Sequence, residues 1–477
     1  MTGEYGRAHP SRSGNPWRPG SSVERLSGSA GDAYSYRYYG AHPSRPAPRN
    51  ARDRAATMSV SALFPVLVIL MLSVTLRHDD TAGSFDSQVA VRLVAYSLAA
   101  LSVLFALGRR KMHLNTGIVA WALVPMFIAV TALYAPEPLF ALTAGLGHLA
   151  LLLFAWQVVN RHGQRRAVLG IIIAGTIVCA LSIFVFYVFP DLGRSTFDAL
   201  SADPGDRMRG VTAQPNSLGS ISALTAMLAV MHFPMFTGRQ RMLAAAAIFI
   251  GGFCIIFSDS RTSILACILC LGMWWLCRTN AALNLFSVVG VGLLACLIIA
   301  FVPDVAAYLS RGGARSDDLT SFNGRWAIWN VAWEHIQASP LLGQGYGASR
   351  SFLPTDDRLF AAAVNSHNVY LEMLFSGGAV LLGLYLLGIS ISVIRSAMQR
   401  RTEALVALVF FLIVGAGEAT PYAGLPLFPA VVFYIVVALC LARPAPGQAP
   451  KRRAPKFAAG SNRRFLGARA AAMESQH

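Results

Sequence analysis

The distribution of apolar residues along the chain predicts a bundle of membrane-spanning helices. Twelve apolar stretches lie between about residues 60 and 442, each close to the ~20 residues that a helix needs to cross ~30 Å of hydrocarbon. Segments 64–72 and 244–250 are apolar on every side, whereas barrel strands alternate apolar and polar positions. The expected fold class is an all-α polytopic membrane protein of about twelve transmembrane helices, with a large, partly helical loop on the outer side.

Composition agrees with this prediction, because 55% of the residues are hydrophobic and 13% are charged, with a mean hydropathy of +0.51.

The apolar stretches give approximate bounds for the spans, and residues 404–442 could alternatively form one re-entrant unit instead of two spans. The predicted spans lie near residues 60–76, 89–107, 117–134, 138–158, 167–189, 216–236, 241–257, 262–277, 282–302, 369–394, 404–421 and 424–442.

The basic residues of the short loops predict the orientation. Short loops at 135–137 and 422–424 carry no Lys or Arg. Basic short loops stay in the cytoplasm, so both termini are expected there, and orientation explains much of the net charge of +17 without a nucleic-acid partner. The basic loop residues are Arg109, Arg110, Lys111, Arg161, Arg165, Arg166, Arg239, Arg241, Arg278, Arg395, Arg400 and Arg401.

The same pattern divides the chain into five parts. The first part is rich in Arg, Ser, Gly, Pro and Tyr and has no apolar periodicity, which is typical of a disordered tail; a start at Met58 would leave it out of the native protein. The parts are a basic cytoplasmic tail (1–57), transmembrane helices 1–9 (58–302), a large outer loop (303–368), transmembrane helices 10–12 (369–442) and a second basic cytoplasmic tail (443–477).

Two outer loops, at about 190–215 and 303–368, are long, and long loops in compact proteins are usually functional. In the larger loop the spacing predicts an amphipathic helix from residue 325 to 337. Such a helix fits an element lying in the membrane interface, and it also fits a lid packed over the bundle. Its apolar stripe consists of Trp326, Trp329, Trp333 and Ile336.

Three arginines, Arg209, Arg261 and Arg325, are predicted on the outer side. An arginine close to hydrocarbon is costly unless it snorkels, pairs or binds an anion, and its guanidinium binds phosphate oxygens bidentately. These residues are therefore candidate ligands of a diphosphate. The alternatives are a pair between Arg261 and Asp259 at the membrane edge and a structural role for Arg209.

His367 is predicted at the outer start of a span, near the three arginines. Histidine titrates near neutral pH and can act as a general base toward a hydroxyl. The alternatives are a helix-capping histidine at this position and His335, on the polar side of the tryptophan helix, as the base. His148 and His232 lie inside predicted spans and are expected to be core residues.

No metal site and no cofactor is expected. The pairs Asp317-Asp318 and Asp356-Asp357 could in principle bind a divalent ion, but neither has further clustered ligands, and a hard cation prefers several oxygen ligands. Both pairs are interpreted as solvated loop residues.

Five short motifs resemble those of the O-antigen ligase superfamily, which also includes O-antigen and exopolysaccharide polymerases. They occur in order between residues 209 and 371, and all are predicted on the outer side. The motifs are Arg-Gly-x-Thr…Asn-x-Leu-Gly at 209–219, Ser-Arg-Thr at 260–262, Gly-Arg-Trp-x-Ile-Trp at 324–329, Pro…Gly-x-Gly-x-Gly at 340–347 and Ser-His-Asn-x-Tyr-Leu at 366–371.

This resemblance implies an inverting, metal-independent glycosyltransferase that moves a finished glycan from undecaprenyl diphosphate to an acceptor glycan or lipid A core. The site would face the periplasm from the bacterial inner membrane, in contact with membrane lipids. His367 would be the base, Arg209, Arg261 and Arg325 would bind the diphosphate, and Asn216 and Asn368 would support them.

Two other functions remain open from the sequence. A transporter or flippase of a polysaccharide-lipid intermediate fits twelve spans, but transporters place ionisable residues near the membrane midplane. A scaffold of a polysaccharide-export complex could use the arginines to bind anionic headgroups. A glycan-transfer assay separates the enzyme from both.

Overall fold

A computed structural model describes residues 60–73, 75, 87–109, 112–195, 207–279, 325–359, 363–422 and 424–442. All of these residues fall within one compact unit that begins at Met58. In these ranges the helices are α1 (Val60–Met71), α2 (Ser87–Gly108), α3 (Thr116–Val130), α4 (Pro138–His162), α5 (Gln164–Val188), α6 (Pro190–Gly193), α7 (Pro215–His232), α8 (Arg239–Ser258), α9 (Arg261–Thr279), α10 (Arg325–Ala338), α11 (Ala348–Phe352), α12 (Val369–Met398), α13 (Thr402–Gly417) and α14 (Phe428–Leu441).

The prediction of an all-α polytopic membrane protein is confirmed. Seven described helices (α2, α3, α4, α5, α7, α8 and α12) are long and apolar enough to cross a membrane, and α9, α13 and α14 are shorter apolar helices. Each predicted span coincides with a described helix, except the one at 282–302, which lies outside the described residues. The number of twelve spans therefore stays a prediction.

The short helices α13 and α14 lie in the centre of the bundle. Every residue of α14 except Pro429 is buried, and the helix packs against α4, α12 and α13. At ~1.5 Å per residue, the 16 residues of α13 extend for less than the ~30 Å of a membrane core. The chain after Gly417 is therefore non-helical while still enclosed by other helices, and it begins with the buried carboxylate of Glu418.

Helix α12 is interrupted at the paired glycines Gly377 and Gly378, which have non-helical backbone angles. The Pro…Gly-x-Gly-x-Gly segment at 340–347 docks on this break. The backbone N–H groups of Gln344 and Gly345 donate to the carbonyls of Phe375 and Ser376, at 2.7 and 3.0 Å. Because these bonds replace those that the break removes from the helix, the turn fixes the outer loop to α12.

The tryptophan helix α10 packs on the bundle with a different face from the one that the spacing suggested. Its buried residues are Ile328, Val331, Ala332 and Ile336. Trp326 and Trp333 are 52% and 48% exposed, so the alternative in which the tryptophan stripe covers the bundle as a lid is wrong for these two. Compact aliphatic side chains let the helix approach the bundle. Trp329 is half-buried and donates to the carbonyl of Ser366, whereas the exposed indoles are those of Trp326 and Trp333, for which the membrane-interface interpretation stays a prediction.

The segment between α5 and α7 contains α6 and a two-residue hairpin. Strand β1 (Arg194–Ser195) pairs antiparallel with β2 (Arg207–Met208), and the intervening residues 196–206 lie outside the described part. The hairpin brings the start of α7 close to the end of α5, since β2 contacts α5, α7 and α8.

Candidate functional site

Three of the residues predicted from the sequence converge on a carboxylate that the sequence analysis missed. Glu418 lies directly after α13 and binds Arg325, whose Nη2 is 2.8 Å from its Oε1. Asn216, in the first turn of α7, donates its Nδ2–H to the same oxygen at 2.7 Å. His367 Nδ1 lies 3.5 Å from Oε2 of Glu418. The structure thus joins a base candidate, a cation and an amide around one buried acid.

A second residue of the candidate site that the sequence analysis missed is Arg207, in strand β2. Its Nη2–H donates to Oδ1 of Asn216 at 2.8 Å, so it extends the network around Glu418. Its Nε and Nη2 also donate to the carbonyls of Ser258 and Asp259, at 3.0 and 3.1 Å. These contacts attach the hairpin to the junction of α8 and α9. They also place the guanidinium of Arg207 next to Asn216, which itself contacts Glu418.

Arg209 has a structural contact of the kind that the alternative interpretation predicted. The residue is only 4% exposed, and its Nε–H donates to the carbonyl of Leu192 at 2.9 Å. This bond ties the end of the hairpin to α6. Diphosphate binding by Arg209 stays a prediction, and Arg207 is the arginine of this segment that contacts Asn216.

Arg261 begins α9 beside the site. Its Nε lies 3.8 Å from Oδ1 of Asp259, so the pair proposed as an alternative is present, at a long distance. A Cβ on Gly417 would lie 3.2 Å from Thr262 and 3.4 Å from Arg325. Because Gly417 precedes Glu418, the start of α9 and the start of α10 lie next to each other at the carboxylate.

Hydroxyl groups hold the starts of α7 and α9 together. Ser263 Oγ lies 3.0 Å from Ser220 Oγ and 2.8 Å from Ser260 Oγ. All three residues are buried. This contact fixes the helix that carries Asn216 against the helix that begins with Arg261.

His367 is presented by an unusual backbone conformation. Its φ is +48°, in the left-handed region that non-glycine residues rarely adopt, and its N–H donates to Oδ1 of Asn365 at 2.9 Å. The next residue, Asn368, caps α12 by accepting from the N–H of Tyr370 and Leu371. Asn368 Nδ2 also donates to the carbonyl of Ala416 at 3.1 Å, which brings the histidine turn to the end of α13.

Cationic and anionic side chains meet at the site. The guanidinium groups of Arg261 and Arg325 face the carboxylates of Asp259 and Glu418, respectively. The guanidinium of Arg207 donates to the backbone carbonyl of Asp259. The buried Glu418 carboxylate has Nη2 of Arg325 2.8 Å and Nδ2 of Asn216 2.7 Å from its Oε1. These two contacts offset the cost of burying the charge.

The three other histidines considered in the sequence analysis contact protein groups outside the site. His335 stacks on Phe352, with ring centroids 5.0 Å apart. His148 is fully buried, as expected of a core residue, with Nδ1 3.1 Å from the hydroxyl of Tyr434. His232 Nδ1 lies 3.1 Å from a backbone carbonyl of its own helix. His367 is the one of these four that contacts Glu418.

The carboxylate of Asp356 is already paired with an arginine side chain. The carboxylates of Asp356 and Glu334 both bind the guanidinium of Arg358 at 2.7–2.9 Å. The hydrogen bonds from Arg358 lower the pKa of Asp356 to about 2. No group of three or more His, Cys, Asp or Glu that could hold a metal occurs among the described residues, and Asp317-Asp318 lies outside them.

The fold and the site define a polytopic membrane protein with a cationic, histidine-bearing site at one end of its bundle. Residues 246–386 match the family model described as O-antigen ligase, so the similarity to the O-antigen ligase superfamily that the motifs predicted is confirmed. This range includes Arg261, Arg325 and His367, whereas Arg207 and Glu418 lie outside it.

A curated relative supports the same superfamily. The chain is 26% identical over 278 residues to the exopolysaccharide production protein ExoQ of Rhizobium meliloti (strain 1021). The alignment covers 55% of this chain and 61% of that protein, so the chain spans less than two thirds of the length of this relative.

Removing the central carboxylate is expected to destabilise the protein. In Glu418→Ala, the half-buried donors of Arg325 and Asn216 lose their acceptor, and leaving such donors without a partner costs ~1–3 kcal/mol. Thermal unfolding of the detergent-solubilised protein should show a lower Tm. Glu137→Ala is the matched control, because Glu137 is exposed and its one side-chain hydrogen bond, to Ser351, is 3.3 Å long. Equal Tm values for the two variants would contradict a structural role for Glu418.

Proposed function

We propose that this protein is a membrane glycosyltransferase that moves a glycan en bloc from undecaprenyl diphosphate to an acceptor sugar. It would act as an O-antigen ligase or as an O-antigen or exopolysaccharide polymerase. The observation that carries the proposal is the convergence of Arg325, Asn216 and His367 on Glu418. The matched family over residues 246–386 supports the same assignment.

The proposed reaction needs one proton acceptor and one anion site. The acceptor hydroxyl oxygen attacks the anomeric carbon, a new C–O bond forms, and the bond to the diphosphate breaks with inversion. The proton of the hydroxyl passes to His367, and undecaprenyl diphosphate leaves with the bonding electron pair. The donor bond supplies the driving force, so no nucleotide or other cofactor takes part.

The contact with Glu418 supports different tasks for the two nitrogens of His367 in the proposed reaction. With Nδ1 facing the carboxylate, the tautomer that carries its proton on Nδ1 donates to Glu418 and leaves Nε2 free to accept a proton. A carboxylate behind the ring also stabilises the imidazolium that forms during transfer, as in other His–carboxylate pairs. Glu418 would therefore orient the base.

The arginines would stabilise the leaving diphosphate. Arg325 uses Nη2 for Glu418, and a guanidinium has five N–H donors, so it can hold a carboxylate and a phosphate oxygen together. Arg261 and Arg207 lie on neighbouring segments. Preorganised donors at a developing negative charge commonly provide the largest single contribution to catalysis.

In the cell, this chemistry would take place at the periplasmic face of the bacterial inner membrane, with both termini in the cytoplasm. The partners would be the lipid-linked glycan, an acceptor glycan or lipid A core, and the surrounding lipids. The alternative is a transporter or flippase of the lipid intermediate. The clustering of the charged residues at helix ends, instead of along the helices, favours the transferase.

The test is transfer by the purified protein, reconstituted with an undecaprenyl diphosphate-linked glycan and an acceptor. Joined glycan and free undecaprenyl diphosphate should appear in equal amounts. A parallel experiment in sealed vesicles without acceptor measures movement of the lipid-linked glycan between leaflets. Lipid movement with no glycan transfer would contradict the proposal and support the transporter.

Transfer is expected to proceed in EDTA without added Mg²⁺ or Mn²⁺. Arginines would neutralise the diphosphate, and Asp356 is occupied by Arg358. The measurement compares initial rates in EDTA, in buffer and in buffer with each metal. Inhibition by EDTA that Mg²⁺ or Mn²⁺ reverses would contradict this prediction and reduce the arginines to an accessory role.

A further inference from the structure

A second buried carboxylate, that of Glu372, lies in the first turn of α12 and is 3% exposed. Its Oε1 accepts a hydrogen bond from the hydroxyl of Ser349 at 2.6 Å. Its Oε2 accepts from the N–H and the hydroxyl of Ser366, at 3.1 and 2.9 Å. A carboxylate buried in a membrane protein is costly and usually functional, and none of these contacts is to the arginines of the site.

Ser366 is held at all of its polar groups. Besides the two bonds to Glu372, its carbonyl accepts from Nε1 of Trp329 at 2.9 Å, and the residue is 0% exposed. The residue that follows is His367, whose left-handed backbone persists only when the surroundings enforce it. Glu372 and Trp329 fix the peptide immediately before the strained residue.

The same contacts connect the histidine turn to the outer loop. Ser349 belongs to α11 and Trp329 belongs to α10, and both hydrogen bonds end at Ser366 or at the carboxylate that holds it. Arg325, at the start of α10, is thereby kept in register with His367. A catalytic group must be held to within a fraction of an ångström by such supporting contacts.

We propose that Glu372 is a positioning residue for the transfer reaction. It fixes Ser366 through its two hydrogen bonds, and so aims the imidazole of His367 at Glu418 and at the reacting hydroxyl. This inference rests on the proposed function, because His367 is the base in that reaction. Glu372 itself contacts neither substrate nor the reacting atoms.

The test compares Glu372→Ala with Glu372→Gln. The Ala variant removes the two bonds from Glu372 to Ser366, and a displacement of the base by about 1 Å can lower the rate ~10²-fold. The loss should fall on kcat, with the donor KM unchanged, because Arg325 keeps its bond to Glu418. The Gln variant should recover most of kcat. Its carbonyl oxygen can accept both bonds from Ser366, and its amide can donate to the hydroxyl of Ser349.

Two controls separate positioning from general damage. Glu403→Ala, in the first turn of α13 at the helix end remote from Glu418, should leave kcat unchanged. If Glu372→Ala does not accumulate as a folded protein, Ser349→Ala takes its place, with Ser390→Ala as its control. Ser349 donates to Glu372, whereas Ser390 is exposed and donates only within α12. Ser349→Ala should then lower kcat, and Ser390→Ala should not.

Three results would overturn the inference: a wild-type kcat for Glu372→Ala, a Gln variant as inactive as the Ala variant, or a wild-type kcat for Ser349→Ala where it replaces an unstable Ala variant. Full transfer by His367→Ala is a different result, since it would remove the base from the proposed function itself. The two failures are therefore distinguishable in one set of variants.

Discussion

Replacing His367 with Ala is expected to abolish measurable glycan transfer while the protein still inserts and folds. The loss of a general base typically lowers a rate ~10²–10⁴-fold. The side chain contacts Glu418 at 3.5 Å, and the turn around it is held by Asn365, Asn368 and the bonds of Glu372 to Ser366, which do not involve the imidazole. The measurement is the initial rate of transfer at equal amounts of protein in the membrane.

His335→Ala is the control for this variant. His335 stacks on Phe352 and Phe375 in the outer loop, and it is the competing candidate from the sequence. We expect its replacement to preserve most of the transfer rate. Near wild-type transfer by His367→Ala, together with loss of transfer by His335→Ala, would reassign the base to His335.

Replacing Arg325 with Lys is expected to lower transfer ~10²–10³-fold, which is typical for the loss of one preorganised donor in an active site. Lysine preserves the charge opposite Glu418. Its compact ammonium lacks the planar fork that could hold the carboxylate and a phosphate oxygen at once. Both the KM for the lipid-linked donor and kcat should change, in contrast to the histidine variant.

Arg358→Lys is the matched control. Arg358 lies in the same outer loop, and its side chain is 55% exposed and bound by Glu334 and Asp356. We expect no change in transfer from this substitution. A fully active Arg325→Lys variant would show that position 325 supplies only diffuse positive charge, and the clamp would then have to be sought at Arg207 and Arg261.

The residues around Glu418 differ in how far they could be found from sequence. Arg261, Arg325 and His367 were found because a charged or titratable residue beside an apolar span is costly and therefore informative. Glu418 is likewise a charged residue in an apolar stretch, since it is the one acidic residue between 404 and 442. It was missed because a carboxylate does not bind the anionic diphosphate that the arginines indicated.

Arg207 was missed for a different reason. It lies two residues before Arg209, and only Arg209 belongs to the motif that resembles the O-antigen ligase superfamily. In a hairpin, the residue that reaches a neighbouring helix depends on strand pairing, here Ser195 with Arg207 and Arg194 with Met208. Two-residue strands are too short to leave a pattern in the sequence.

The sequence by itself determined the membrane helices and the charged residues at their ends, because both follow from the cost of exposing polar groups to hydrocarbon. Only the tertiary structure decided which of these residues meet. Arg325 is 93 positions from Glu418 and Asn216 is 202 positions from it. They are brought together because α13 is short and because Asn368 binds the end of that helix. Such long-range contacts depend on how helices pack, and no local periodicity encodes them.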